Sequence, residues 1–199
     1  MTQLTPRERR REKNRQAILE VAYDLVTENG AENISMREIA RRIDYSPAAL
    51  YEYFDSKEEI VTSLCTEGFG RLATYLSRVS TDLQPLERVT ELGMAYLDFA
   101  SKNPEFYLLI VINIPSGLTS LEQLDDEASP YQILLQAMRT GIKEGVFTPR
   151  KSFDVQAMTY SCWAFVHGMA MLGLTQLKDL ELDLEPINRL ALEKFLGAL

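Results

Sequence analysis

Residues 46–59 read SPAALYEYFDSKEE. Ser46 is a hydroxyl cap, and Pro47 follows it where a helix loses nothing by lacking an N–H. Two alanines, Ala48 and Ala49, come next, then Leu50, Tyr51, Tyr53 and Phe54 before a second cap at Ser56 opens Lys57-Glu58-Glu59. This pattern predicts a short helix ending near Tyr53 and the start of a long one. Leu50 and Phe54 stand four apart on one face and are the natural anchors into a core. The alanines keep another edge slim, and Tyr51 and Tyr53 point away from the anchors.

Upstream, Ile18, Val21, Ala22, Leu25 and Val26 recur at helical spacing, and Asn29-Gly30 supplies a left-handed stop, which predicts a first helix over about residues 7–29. Ser35-Met36-Arg37-Glu38 reads as a capping box opening a second helix from Met36 to about Ile43, with the break at Asp44-Tyr45. Downstream, Ser56-Lys57-Glu58-Glu59 is another capping box, and Ile60, Val61, Leu64, Cys65, Leu72, Leu76 and Val79 give the fourth helix its inward face. The pattern stays helical beyond Pro85, over about 86–102, 104–112, 130–144, 152–176 and from Glu185 to the end. Residues 114–130, IPSGLTSLEQLDDEASP, read as a polar, acidic connection. No strand-like alternation is long enough to count. The expected fold is all-α, with an N-terminal three-helix helix-turn-helix unit (residues 1–56) joined through the long fourth helix to a larger helical domain (57–199).

A chain of 199 residues, 46% apolar and 25% charged, has globular composition. Its net charge of −8 is unevenly spread: residues 1–15 hold Arg7, Arg9, Arg10, Arg11, Lys13 and Arg15 against Glu8 and Glu12, a net +4 that leaves −12 on the rest. A basic arm leads an acidic body. Cys65 and Cys162 match no disulfide or metal spacing, and the start lacks an apolar leader segment, so a cytoplasmic protein without membrane association is expected. The single histidine, His167, cannot build a catalytic or metal constellation alone, so neither catalysis, a metal nor a cofactor is expected.

Two short helices around a tight turn, the second capped and small-faced, are the sequence form of a helix-turn-helix. A DNA major groove is ~12 Å wide, and Ala48 and Ala49 would let the second helix approach closely. The tyrosine hydroxyls, Ser35, Ser46, Lys57 and the free N–H groups at each helix start could reach phosphate oxygens. Each of these residues alone also fits an ordinary surface role. Their order along one short segment is what favours a DNA-reading unit.

The segment ISMREIARRIDYSPAALYEYFDSKEEIV resembles the DNA-binding part of the tetracycline-repressor (TetR) family, with its Ile-Ala pair, Ser-Pro turn, Leu-Tyr-x-x-Phe anchor and Ser-Lys-Glu-Glu start of the fourth helix. The resemblance implies that Ser35, Arg37, Tyr51, Tyr53 and Lys57 contact phosphates and that Ser46, Ala48 and Ala49 lie near base edges. Three positions depart from the pattern. Asp44 stands where the family often has glycine, and Asp can visit the left-handed region; Tyr45 replaces a smaller apolar residue, and Tyr53 stands where His is frequent.

Residues 153–174, FDVQAMTYSCWAFVHGMAMLGL, are apolar nearly all round, which predicts a helix covered on most sides. They resemble the penultimate helix of family members whose last two helices form a dimer interface, and Ala164, Gly168, Ala170 and Gly173 would permit close approach. Packing inside one subunit is the competing explanation. Phe99, Phe106, Tyr107, Met138, Trp163 and His167 are candidates for an effector pocket, although rings and methionines at helical spacing also simply fill cores. His167 could bond a ligand or satisfy a neighbouring carbonyl. Taken together, the resemblance implies a homodimeric repressor that binds a pseudo-palindromic double-stranded DNA operator and is released by a small, largely apolar effector. Two other readings stay open: a helical ligand carrier or enzyme with an incidental helix-turn-helix, and a protein-interaction adaptor.

Overall fold

A computed structural model describes residues 5–113 and 129–199. The acidic connection expected at 114–130 lies, apart from Ser129 and Pro130, outside the described residues. Among those described, every regular element is a helix: α1 (Pro6–Asn29), α2 (Met36–Arg42), α3 (Pro47–Leu50), α4 (Lys57–Leu76), α5 (Pro85–Lys102), α6 (Pro104–Ile112), α7 (Pro130–Lys143), α8 (Val155–Leu174) and α9 (Glu185–Leu196). The chain divides into two packing units. One holds the residues through Gly68 and the end of α6 from Leu108; the other begins at Phe69 and takes the rest. The division falls inside α4, twelve residues past the boundary expected at 56/57.

In the first unit, local chemistry sets the helix ends. Thr5 and Glu8 form a reciprocal box at the start of α1, the Thr5 N–H donating to Glu8 Oε2 at 2.7 Å and the Glu8 N–H to Thr5 Oγ1 at 3.3 Å. Gly30, at φ 81°, ends the helix with its N–H on the Val26 carbonyl. α1 packs on α2, and Ile18, Ala22 and Leu25 of the first and Ile39 and Ala40 of the second are all fully buried or nearly so. Burial of a side chain such as Leu50 or Phe54 contributes about 2–3 kcal/mol, and both are sealed in this core.

The two capping boxes read from the sequence are each half formed. Ser35 Oγ accepts from the Glu38 N–H at 3.2 Å, but the Glu38 carboxylate turns to Arg41 instead of reaching back. Ser56 Oγ accepts from the Glu59 N–H at 3.1 Å, while Glu59 Oε2 takes the Asp55 N–H at 2.6 Å. In each case the carboxylate has found another donor within four residues. Val61 is half-buried, and Val79 lies beyond the end of α4.

In the second unit α5 packs against α7, α8 and α9, and α7 packs against α8. Gly141 on α7 is required by the close approach of a buried ring: a Cβ there would sit 2.3 Å from Phe147 Cδ2. Arg189 on α9 pairs with Glu91 on α5, and Phe165 stacks on Phe195 with centroids 4.6 Å apart. No helix among the described residues is long and apolar enough to cross a membrane.

Candidate nucleic-acid interface

The turn between α2 and α3 depends on one residue in an unusual conformation. Asp44 has φ 56°, the only positive φ outside glycine among the described residues. An L-residue there costs about 1–2 kcal/mol, which Asp bears better than most. The turn then closes through the Tyr45 N–H on the Ala40 carbonyl at 2.9 Å. Ser46 caps α3, its Oγ accepting from the Ala49 N–H at 3.1 Å. The helix proper ends at Leu50, three residues short of the expected end, and the chain continues as a turn that carries Tyr51 and Tyr53.

Leu50 and Phe54 are buried as anchors, at 0% and 1% exposure, while Ser46, Ala48 and Tyr51 face outward and Ala49 and Tyr53 are half-buried. Tyr51 is 54% exposed, so it is not one of the anchors. Ser35 and Arg37 are exposed at the start of α2, and Lys57 is half-buried at the start of α4 with its Nζ on the Glu32 carbonyl at 3.1 Å. The expected contact residues therefore all fall in the first unit, at the start of α2, on α3 and the turn after it, and at the start of α4.

The three arginines of α2 are not equivalent. Arg41 is bound by Glu38, its Nε 3.0 Å from Oε2. Arg42 forks onto Glu28 of α1, at 3.1 and 2.8 Å. These hydrogen bonds hold the Glu38 and Glu28 carboxyls below their ordinary range. Arg37 has no side-chain partner among the described residues and is the cation of α2 free to meet an anion.

Three side chains counted in the sequence only as part of the basic arm, or not at all, turn out to brace this region. Arg15 Nη1 donates to the Tyr53 carbonyl at 3.1 Å and Nη2 to Ser63 Oγ at 3.0 Å, and its guanidinium lies 4.0 Å over the Phe54 ring. Arg11 reaches the Glu52 carbonyl at 3.3 Å, and Asn14 Nδ2 donates to the Tyr53 hydroxyl at 2.9 Å. Arg11 and Arg15 share a face of α1, one turn before Ile18, and that spacing was the signal available in the sequence.

The effector-pocket candidates fall in the second unit. Phe99, Phe106, Tyr107 and Met138 are buried, Trp163 and His167 half-buried. His167 bonds not a carbonyl through its ring but two phenols: Nδ1 lies 2.9 Å from the Tyr107 hydroxyl and 3.3 Å from that of Tyr96. Burial pushes the His167 pKa down and both tyrosines up, so all three stay neutral at ordinary pH. Burial likewise pushes the Cys162 thiol up to about 12 and Cys65 up to about 11, leaving both unreactive. Along α8, Met158, Thr159, Cys162, Val166 and Ala170 are buried within the chain. Ala164 is exposed and nothing lies within 4 Å of where a Gly168 Cβ would be. Of the four small residues, Ala170 therefore faces the chain's own core.

Among the described residues, then, the fold and this surface define an all-helical protein whose N-terminal unit carries a helix-turn-helix. The sequence matches the model for bacterial regulatory proteins of the tetR family over residues 18–64, and that for a tetracyclin repressor-like C-terminal domain over residues 89–195. The chain belongs to the tetR family of transcriptional regulators. It is 20% identical over 182 residues to the uncharacterised HTH-type transcriptional regulator YobS of Bacillus subtilis strain 168, covering 92% of this chain and 90% of that one. A solved protein of unknown function from Rhodococcus sp. RHA1 superposes with TM-score 0.76 at 21% identity, over 93% of this chain and 94% of the other. AibR, solved in complex with isovaleryl coenzyme A and operator DNA, superposes with TM-score 0.65 at 22% identity, over 93% and 97%. At these identities the two structural likenesses speak for the fold alone.

Proposed function

We propose that this tetR-family regulator is a repressor: a homodimer that holds a pseudo-palindromic DNA operator and lets go when a small, largely apolar effector binds. Residues 1–56 read the DNA, and residues 57–199 carry the effector and the dimer contact. The observation that carries the reading is the open, slim flank of α3, with Ser46 and Ala48 exposed beside sealed anchors at Leu50 and Phe54. Ser46, Ala48 and Ala49 approach base edges. Ser35, Arg37, Tyr51, Tyr53 and Lys57 hold the flanking phosphates. Two recognition helices in a dimer meet half-sites ~34–36 Å apart.

The dimer is supported by what α8 and α9 leave uncovered. Tyr160, Leu172, Ile187 and Leu190 are 48–56% exposed, beside Ala164 and the open Gly168. A second copy of the same two helices is the partner that such a self-complementary apolar face takes. The effector reading is supported by the placement of Phe99, Phe106, Tyr107, Met138, Trp163 and His167 in the second unit, where the Tyr107 hydroxyl meets the His167 ring. Such a molecule drives release only by as much as it prefers the non-binding state.

Selection of duplexes from a random pool with purified protein tests the reading. A recovered palindrome with loss of binding on raising salt supports it; no recovered sequence, or binding indifferent to salt, defeats it. Sedimentation of Leu190→Asp tests the dimer, which should dissociate.

A further inference from the structure

Asn14 and Tyr53 are 39 positions apart and joined by one hydrogen bond, Asn14 Nδ2 to the phenolic oxygen at 2.9 Å. A phenol has a single proton to give. When its oxygen already accepts from an amide, that proton cannot point back along the same line and is left for another acceptor. The rest of Tyr53 is fixed independently: Arg15 holds its carbonyl at 3.1 Å and covers the ring of the neighbouring Phe54 at 4.0 Å. Both Asn14 and Tyr53 are half-buried, so the pair is not sealed inside the core.

We propose that Asn14 is a positioning residue for DNA binding, which by donating to the Tyr53 hydroxyl turns the phenolic proton outward toward a backbone phosphate. The inference rests on the reading above that Tyr53 meets phosphate. It assigns a role to a residue of α1 that was not among the expected contacts. An acceptor in the place of the amide would do the opposite and draw the proton inward.

Asn14→Asp supplies that acceptor. Its carboxylate keeps the contact with Tyr53 but reverses the direction of donation. The probe is the duplex recovered by selection with the wild-type full chain, and its affinity is measured at fixed salt for the wild type, Asn14→Asp, Tyr53→Phe and the double variant, with the melting temperature of each. Tyr53→Phe is expected to weaken binding about tenfold or more, the loss of one hydrogen bond to a charged group. Asn14→Asp should lose at least as much in the wild-type background. In the Tyr53→Phe background it should lose only the repulsion of the added charge, so the two changes couple by about fivefold. Asn14→Ala, which adds no charge and frees the hydroxyl to rotate, serves where the aspartate variant does not fold; it should cost about two- to threefold with Tyr53 present and nothing in the Tyr53→Phe background. Equal losses in both backgrounds overturn the inference while leaving the Tyr53 contact standing, and so does a loss that merely follows melting temperature. Unchanged affinity in Tyr53→Phe, or no recovered duplex, removes the contact and the inference together.

Discussion

Around α3 the caps are local: Ser35 reaches the Glu38 N–H, Ser46 the Ala49 N–H and Glu59 the Asp55 N–H, each within four residues. In the second unit the polar atoms meet across distance, His167 joining Tyr107 and Tyr96 over 60 and 71 positions. The first arrangement fixes short elements while leaving Ser46, Ala48, Tyr51 and Arg37 on the outside. The second turns its polar groups inward and leaves apolar side chains on α8 and α9 outside. One region thus keeps polar side chains on its outside, the other apolar ones.

The contrast can be broken most sharply at the anchor. Phe54→Ala should cost about 3–5 kcal/mol of unfolding free energy, because it empties a sealed site and strips Arg15 of its aromatic partner. Denaturant titration measures it, and a loss below about 1 kcal/mol would show that the caps alone hold α3. In the other unit Gly141→Ala drives a methyl into the Phe147 ring and should cost about 1–3 kcal/mol by the same measurement. Arg37→Ala, acting on a cation without a partner among the described residues, should weaken DNA binding and reduce its salt slope by about 1, whereas Arg42→Ala, already paired with Glu28, should leave the slope nearly unchanged. Gel shifts across a salt series separate the two. Asp44→Gly relieves a left-handed residue and should raise stability by up to about 1 kcal/mol without altering the fold.

The smallest effect is that of pH on His167. Burial holds its native pKa below the unfolded value of about 6.5, so the unfolded chain takes up the proton first as pH drops. The contribution is complete above that value and fades as pH falls beneath it. Melting temperature followed from about pH 8 to about pH 5.5 should decline less in His167→Gln than in the wild type.

Much of the first unit was readable because its determinants are near neighbours. Ser46-Pro47 start α3, Asn29-Gly30 end α1, and Asp44 takes the left-handed turn that its side chain tolerates. What the sequence concealed was competition between partners. Glu38 and Glu59 occupy the positions of reciprocal caps, yet Arg41 and the Asp55 N–H take their carboxylates. Arg11 and Arg15 looked like members of a charged arm, and Asn14 was not singled out, because their partners, at Glu52, Ser63 and Tyr53, lie about forty or more positions away. In α8 nearly every position is apolar, so periodicity could not tell the Cys162 face from the Ala164 face; packing against α5 and α7 decides it.

The pairing of Arg41 with Glu38 and of Arg42 with Glu28 bears on how the protein would behave among vast stretches of irrelevant genome. Background adhesion to duplex grows with the number of counterions a surface can displace. With two of the three guanidiniums on α2 already matched by carboxylates, that helix has fewer counterions to exchange with random sequence, and indiscriminate grip is left chiefly to Arg37 and the basic arm ahead of it.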